Sequence, residues 1–126
     1  MATTRQLISS GAAWEPIIGY SRAVRVGNVV EVSGTTAAED DATDVYTQTK
    51  RILEKIGAAL VEAGATLEDV VRTRIYMTDI SQWEAAGRAH GEVFGAVRPA
   101  TVMVQVSALI DPRMLIEIEA TAILTA

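Results

Sequence analysis

The chain has 126 residues, 49% apolar and 21% charged, which is typical of one folded domain rather than a disordered segment. Its formal net charge is −5 and it has no run of Lys or Arg, so nucleic acid is disfavoured as a partner. The chain has no Cys and a single His, which excludes disulfides, thiolate nucleophiles and multi-histidine metal sites within one chain. It shows no signal-peptide pattern and no apolar stretch near the roughly 20 residues that span a bilayer. We therefore expect a cytoplasmic protein without a membrane partner.

The first half of the chain predicts three strands and one helix. The strands span residues 5–8, 21–26 and 29–33. A tight turn at Gly27 and Asn28 joins the last two strands, and Gly34 ends the third. The segment around Trp14 is predicted to be a loop. Apolar residues at helical spacing predict a helix over 41–63, with Gly64 as a left-handed C-terminal cap.

The second half predicts one more helix and three more strands. The strands span residues 70–78, 100–108 and 115–124, and a turn around Pro112 precedes the last one. The helix begins at Ser81, which forms a capping box with Glu84, and it ends at Gly95. His90 lies on the apolar stripe of this helix, where packing is a better interpretation than catalysis.

The element order is therefore β-β-β-α-β-α-β-β within a single domain over residues 1–126. Two helices of this length can cover one face of a single sheet. The predicted fold class is an α/β two-layer sandwich, that is, an α+β fold with both helices on one side of the sheet.

Alternation along each predicted strand separates an apolar face from a mixed one. Val102, Val104 and Val106 belong to the apolar face, which is expected to meet the helices. The mixed face collects Glu31, Ser33, Arg72, Arg74, Tyr76, Thr101, Met103, Gln105, Glu117 and Glu119. A solvated antiparallel sheet and a face buried between subunits both account for this pattern.

Three separated stretches resemble motifs of the Rid/YjgF family of reactive-intermediate deaminases. They are GYSRAVRVGNVVEVSGTTA at 19–37, VVRTRIYMTDI at 70–80, and RPATVMVQVSAL at 98–109 followed by IEIEATA at 116–122. The resemblance implies a chorismate-mutase-like fold and a homotrimer whose sheets form a central barrel, with a small-molecule cleft at each subunit interface. It also implies hydrolysis of enamines and imines such as 2-aminoacrylate, without a metal or organic cofactor.

The resemblance also implies roles for individual residues. Tyr20, Ser33 and Gly34 match residues that line the cleft and contact ligand. Glu117 matches the first glutamate of the family's EIE segment, which is thought to position the attacking water. A partly desolvated carboxylate suits that role, because it can orient a water molecule and transfer protons.

The chain departs from the family pattern at two cleft positions. Thr101 stands where the family has the arginine that binds the substrate carboxylate, and Met103 stands where it has a cysteine. The loop before the last strand is one residue longer than in the typical member. The chain is thus similar to the arginine-less subgroups of the family, and we expect it to be poor at hydrolysing 2-aminoacrylate and other small 2-imino acids.

Three further residues are candidates for ligand contact. Arg98, at the start of the Thr101 strand, is placed to reach the mouth of the cleft, with a solvated loop charge as the alternative. Trp14 suits the wall of an amphipathic pocket, with ordinary packing as the alternative. Arg74 is a possible substitute for the missing arginine, but an ion pair with Glu117 or Glu119 is the more ordinary role.

Three functions remain open from the sequence. The first is hydrolysis, or deamination, of an imine, enamine or related C–N metabolite other than a simple 2-imino acid. The second is a trimer that binds a small metabolite without turnover. The third, a ribonuclease or translation inhibitor, is disfavoured by the acidic net charge.

Overall fold

The computed structural model, which describes residues 4–37 and 43–125, contains both strands and helices. The strands are β1 (Arg5–Ile8), β2 (Ala23–Val26), β3 (Val29–Thr35), β4 (Val70–Met77), β5 (Ala100–Gln105) and β6 (Ile116–Ile123). The helices are α1 (Trp14–Ile18), α2 (Val45–Glu62) and α3 (Trp83–Phe94), with 3₁₀ turns at Leu67–Asp69 and Ile80–Gln82. The predicted strands and long helices are confirmed, and α1 is an element that the prediction lacked.

The six strands form one mixed sheet in the spatial order β1-β2-β3-β6-β4-β5. Neighbouring strands are antiparallel except β4 and β5, which are parallel and are connected through α3. Helix α2 packs on β3 and β6 and lies beside α3. The predicted fold, a sheet with its two long helices on one face, is confirmed. Among the described residues, no helix has the length and apolar character needed to cross a membrane.

Helix α2 supplies the centre of the core. Ile52, Ile56 and Leu60 recur every four residues on one side of it and are fully buried. The Asp44 carboxylate caps its first turn by accepting the backbone N–H of Thr47 at 2.8 Å. The predicted start at residue 41 lies outside the described residues. At the other end the predicted left-handed glycine is confirmed, because Gly64 has φ +87°.

Helix α3 begins differently from the prediction. Asp79, rather than Ser81, is the capping group, and it caps the 3₁₀ turn that leads into the helix. Its carboxylate accepts both the backbone N–H of Ser81 at 3.0 Å and its hydroxyl at 2.7 Å. The 3₁₀ turn Ile80–Gln82 follows, and α3 starts at Trp83. The predicted capping box with Glu84 was wrong because the carboxylate of Asp79, two residues before Ser81, takes both Ser81 donors.

The edge strand β5 has the opposite orientation to the predicted one. Its parallel register places Thr101 beside Thr73 and Met103 beside Ile75. Thr73 and Ile75 are fully buried against the helices. Thr101 and Met103 therefore lie on the helix-facing side of the sheet, and their assignment to the mixed face was wrong.

Val102 and Val104 consequently lie on the open side of the sheet, where they are 36% and 40% exposed. They were predicted to meet the helices because they are the more apolar set. The prediction failed because β5 is an edge strand beside which the helix layer ends. Neither of its faces is fully buried, so the polarity of its side chains does not indicate which face packs toward the helices.

The other strands present the predicted mixed face. Thr121 donates to Glu31 at 2.6 Å, Tyr76 donates to Glu119 at 2.7 Å, and Arg74 lies 3.8 Å from Glu119. The predicted ion-pair role of Arg74 is therefore observed. Among the described residues, nothing in the protomer covers this face.

Gln48 connects the core to the strand that carries the candidate carboxylate. Its side chain is fully buried on α2, donates to the Arg113 carbonyl at 3.1 Å and accepts the Leu115 N–H at 2.9 Å. These two backbone groups belong to the segment that enters β6. The amide of Gln48 therefore helps to set where Glu117 stands.

We expect Gln48→Met to destabilise the fold, because methionine fills a similar volume but leaves both backbone groups without that partner. The expected loss is about 2–4 kcal/mol, since each unsatisfied buried group costs about 1–3 kcal/mol. Urea denaturation at one fixed protein concentration measures it, with the exposed Gln82→Met as the matched control. Equal midpoints for the two variants would contradict a bridging role for Gln48.

Candidate functional site

A cavity of about 900 Å³ opens between the segment that follows β1, helix α2 and the ends of β3 and β6. Its lining includes Trp14, Ile18, Tyr20, Arg22, Ser33, Gly34, Lys55, Ile110, Glu117 and Glu119. Five residues predicted for the site thus meet there, namely Trp14, Tyr20, Ser33, Gly34 and Glu117. Its size falls in the range of small-molecule sites.

One wall of the cavity is built by helix α1, which holds Trp14 where a loop was predicted. Glu15 is buried, and its carboxylate accepts the Ser9 hydroxyl at 2.9 Å and the Ser10 N–H at 3.0 Å. Hydrogen bonds from Ser10 first, and from Ser9, lower the Glu15 pKa to about 2, although burial of the carboxylate opposes this shift. The helix ends at Gly19, whose φ is +86°. A five-residue helix that contains a proline is too short for the spacing of its apolar residues to predict it from the sequence.

The floor is formed where the segment before β2 meets the end of β3. Ser33 donates its hydroxyl to the Ser21 carbonyl at 2.6 Å and its N–H to the Arg22 carbonyl at 3.0 Å. The Arg22 side chain lies 5.7 Å from the ring centroid of Tyr20 and donates through Nη2 to the Gly34 carbonyl at 2.8 Å. The floor is therefore held by hydrogen bonds between predicted site residues and Arg22, which the sequence analysis missed.

Glu117 projects from β6 against the Cα of Gly34. A Cβ at position 34 would overlap the Glu117 carboxylate, so the site requires glycine there. Ser33 and Gly34 lie at a shift of register between β3 and β6, which brings the backbone close to the carboxylate. The prediction that Gly34 ends the third strand was wrong, because β3 continues to Thr35. Glycine is required at this position for a steric reason instead.

The Glu117 carboxylate is half-buried and accepts no hydrogen bond from any residue in the described ranges. Burial raises its pKa, the positive charge of Arg22 opposes the rise, and the negative charge of Glu119 adds to it. Glu119 itself is engaged by Tyr76 and Arg74. Glu117 is thus the carboxylate of the floor that is available for proton transfer.

Thr101, Met103 and Arg98 do not line this cavity within the protomer. Thr101 shares a hydrogen bond of 2.8 Å with Thr73, and Met103 packs against the core. Arg98 is exposed, has φ 55° and donates its N–H to the Phe94 carbonyl at 2.8 Å. Strand β4 lies between β5, which carries Thr101 and Met103, and β6.

His90 is part of the same polar group as Thr101 rather than of the cavity. Its Nε2 lies 2.9 Å from the buried Thr73 hydroxyl, and its ring centroid lies 4.7 Å from that of Phe94. Burial lowers its pKa, so the ring is neutral at pH 7. The contacts are those of a packed and hydrogen-bonded histidine.

A metal has no evident site in the described part of the chain. No group of three or more His, Asp or Glu side chains is arranged there to hold an ion. Asp111, which lines the cavity, is bound by Arg113 at 2.6 Å, and this bond lowers the Asp111 pKa to about 2.

Comparison with known proteins matches residues 10–124 to the family model described as Endoribonuclease L-PSP. A RutC family protein of Pyrococcus abyssi is 39% identical over 123 residues, which are 94% of this chain and 96% of the relative. The 3-aminoacrylate deaminase RutC of Acinetobacter baylyi is 34% identical over 112 residues, 85% of this chain and 88% of the relative. The crystal structure of a YjgF/YER057c/UK114 family member from Mycobacterium tuberculosis, 52% identical, covers 96% of this chain and 100% of its own with a TM-score of 0.92.

We expect Glu117 to titrate above its ordinary pKa of 4.5, and Glu119→Gln to lower the Glu117 pKa by removing a neighbouring negative charge. The measurement is a ¹³C NMR pH titration of the glutamate carboxyl groups.

A carboxyl with a raised pKa in the folded state disfavours folding once it ionises. Glu117→Gln should therefore match the wild type in stability well below pH 4.5 and exceed it increasingly as pH rises through the raised pKa. A stability difference that shrinks with rising pH would contradict the burial of an ionised Glu117.

Proposed function

The chain belongs to the Rid/YjgF family, represented by the Endoribonuclease L-PSP model, and from this premise we propose that it hydrolyses an imine, an enamine or a related C–N metabolite in the cavity above Glu117. The observation that carries the proposal is a half-buried carboxylate of raised pKa that faces a ligand-sized cavity without a hydrogen bond from the described residues. The 3-aminoacrylate deaminase of Acinetobacter baylyi among its relatives favours this reaction class.

Hydrolysis of an imine requires one group that first takes a proton and then returns it. As a water oxygen bonds to the carbon of the protonated imine, the Glu117 carboxylate accepts one water proton and the C=N π electrons move to the nitrogen, which gives a neutral carbinolamine. Glu117 then returns its proton to the nitrogen and the C–N bond breaks, its electron pair leaving with ammonia. The hydroxyl proton passes to solvent as the C=O bond of the carbonyl product forms. A carboxyl with a raised pKa suits both steps, because its two protonation states are closer in free energy near neutral pH.

Ser33 is placed to orient the water or the substrate nitrogen. Its hydroxyl proton is committed to the Ser21 carbonyl at 2.6 Å. The oxygen is therefore left as an acceptor, which favours a donor such as N–H or water next to it. Tyr20, half-buried on the same floor, adds a hydroxyl that can donate or accept.

The rim of the cavity favours a substrate larger than 2-aminoacrylate. Trp14, Ile18 and Ile110 line it and are 52%, 58% and 75% exposed. An apolar body on the substrate would cover these side chains and gain from their burial. The threonine at position 101 favours a substrate other than a simple 2-imino acid, because the family's carboxylate-binding arginine is absent there.

We further propose that the protein is a homotrimer in which the open sheet face is covered by neighbouring copies. Support comes from the exposed Val102 and Val104 and from the paired charges beside them. In such an assembly β5 of a neighbouring copy would bring its Thr101, Met103 and Arg98 to the mouth of the cavity. The candidate cleft would then contain groups from two subunits.

Binding of a metabolite without turnover is the second candidate, and the observation that favours it is again the threonine at position 101. Ribonuclease activity has weaker support. The net charge is −5, and the cavity lining contains more acidic than basic side chains. A phosphate backbone is repelled by such a surface.

We expect Glu117→Gln to lower kcat by about 10²- to 10⁴-fold while leaving the fold intact, because glutamine cannot accept and return the proton. The measurement is ammonia release from a panel of imines of increasing size, generated in situ, with the exposed Glu54→Gln as the matched control. Wild-type rates equal to the buffer blank throughout the panel would leave only metabolite binding. Full activity of Glu117→Gln would remove Glu117 from the reaction.

We also expect the wild type to hydrolyse 2-aminoacrylate about 10²- to 10³-fold less efficiently than an arginine-bearing relative, the cost of losing two charge-assisted hydrogen bonds. The comparison is kcat/KM in a coupled assay that generates 2-aminoacrylate, with Thr101→Arg expected to gain activity. Thr101→Lys is the control, since lysine restores the charge without the planar fork. Equal efficiency of the wild type and the relative would show that the missing arginine is irrelevant.

A further inference from the structure

Arg22 lines the cavity beside the proposed catalytic carboxylate, and its hydrogen bonds are incomplete. A guanidinium carries five N–H donors. Nη2 donates to the Gly34 carbonyl at 2.8 Å, whereas Nε is buried and finds no acceptor among the described residues. An unpaired buried donor is unfavourable. The side chain lines the cavity, and its guanidinium has donors beyond the one that Gly34 uses, so it retains capacity for a hydrogen-bond acceptor supplied from outside the chain.

The nearby negative charge does not neutralise Arg22 by direct contact. Arg22 and Glu117 influence each other electrostatically, yet no ion pair within 4.0 Å joins them. They stand on two sides of the same residue, with Arg22 on the carbonyl of Gly34 and the Glu117 carboxylate against its Cα. A positive and a negative group thus flank one short piece of backbone without contact.

Three other basic side chains near the sheet are engaged elsewhere. Arg25 donates to the carbonyls of Gly27 at 2.9 Å and Ala63 at 2.7 Å. Arg74 lies on the open face with Glu119. Lys55 lines the cavity, but its ammonium is held by the Thr36 carbonyl at 2.8 Å. Among the arginines in the described ranges, Arg22 is the one that lines the cavity.

We propose that Arg22 binds the anionic group of the substrate, a carboxylate, and so directs the reacting C–N bond toward Glu117. The carboxylate accepts N–H donors of Arg22 that Gly34 does not use, in the planar geometry that guanidinium and carboxylate share. The apolar remainder of the substrate lies along Trp14 and Ile18. This assignment rests on the proposed function for the identity of the reacting bond, whereas the carboxylate contact can be tested without turnover.

The wild-type protein provides the first test, using phenylacetate as the anionic probe and phenylacetamide as its neutral isostere. The readout is the ¹⁵Nε–¹Hε NMR resonance of Arg22. We expect phenylacetate to shift this resonance saturably, and phenylacetamide to bind at least about tenfold more weakly because it lacks the charge. The proposal would be overturned if phenylacetate left the Arg22 resonance unshifted, or if the two probes bound with equal affinity.

Variants provide the second test. Arg22→Gln should weaken phenylacetate binding by about tenfold or more, Arg22→Lys by less, and the exposed Arg51→Gln not at all. Thermal unfolding identifies any variant that has not folded, and in that case the wild-type resonance decides. Unchanged phenylacetate affinity in folded Arg22→Gln would contradict the assignment.

The two proposals fail in different ways. If Glu117→Gln abolishes turnover while folded Arg22→Gln still discriminates phenylacetate from phenylacetamide, the hydrolytic function stands and the Arg22 anchor is wrong. If no imine is turned over but discrimination depends on Arg22, the anchor stands and the protein binds carboxylates without hydrolysis.

Discussion

The approach of the Glu117 carboxylate to the Cα of Gly34 is the contact on which the rest of the site depends. It requires a residue without a side chain in β3 and a shift of register opposite β6. It also places the Gly34 carbonyl where Arg22 donates to it. Because sheet backbone occupies one side of the carboxylate, the acid is partly desolvated and faces the cavity. One close approach thus accounts for the glycine, the raised pKa and the position of the arginine.

Most of the fold could be predicted because its signals are local and strong. The apolar spacing of α2, the turn at Gly27 and the β-branched runs each indicate one element, and each is observed. The α1 helix escaped prediction because five residues are too few for periodicity. The face of β5 that packs toward the helices was also not predicted. The alternation of side chains along a strand defines two faces, and only long-range packing decides which of them meets the helices.

The candidate site was partly predictable for a different reason. Tyr20, Ser33, Gly34 and Glu117 were expected together from resemblance, and they line one cavity. Arg22 was missed because a charged residue at the start of a strand is expected to be solvent-exposed unless the surface that it faces is known. Thr101, Met103 and Arg98 remain predictions that depend on a second copy of the chain.

The buried Glu15 carboxylate, in the cavity wall formed by α1, stays ionised in mild acid. Its pKa of about 2 lies below the ordinary 4.5, so its contribution to stability is complete above pH 4.5 and is lost only as pH falls toward 2. Glu117 changes charge on the other side of that ordinary value. The Glu15 and Glu117 carboxylates therefore lose their charges in separate pH ranges. Mild acid would therefore neutralise the Glu117 carboxylate on the floor of the cavity while the Glu15 carboxylate in its wall stays charged.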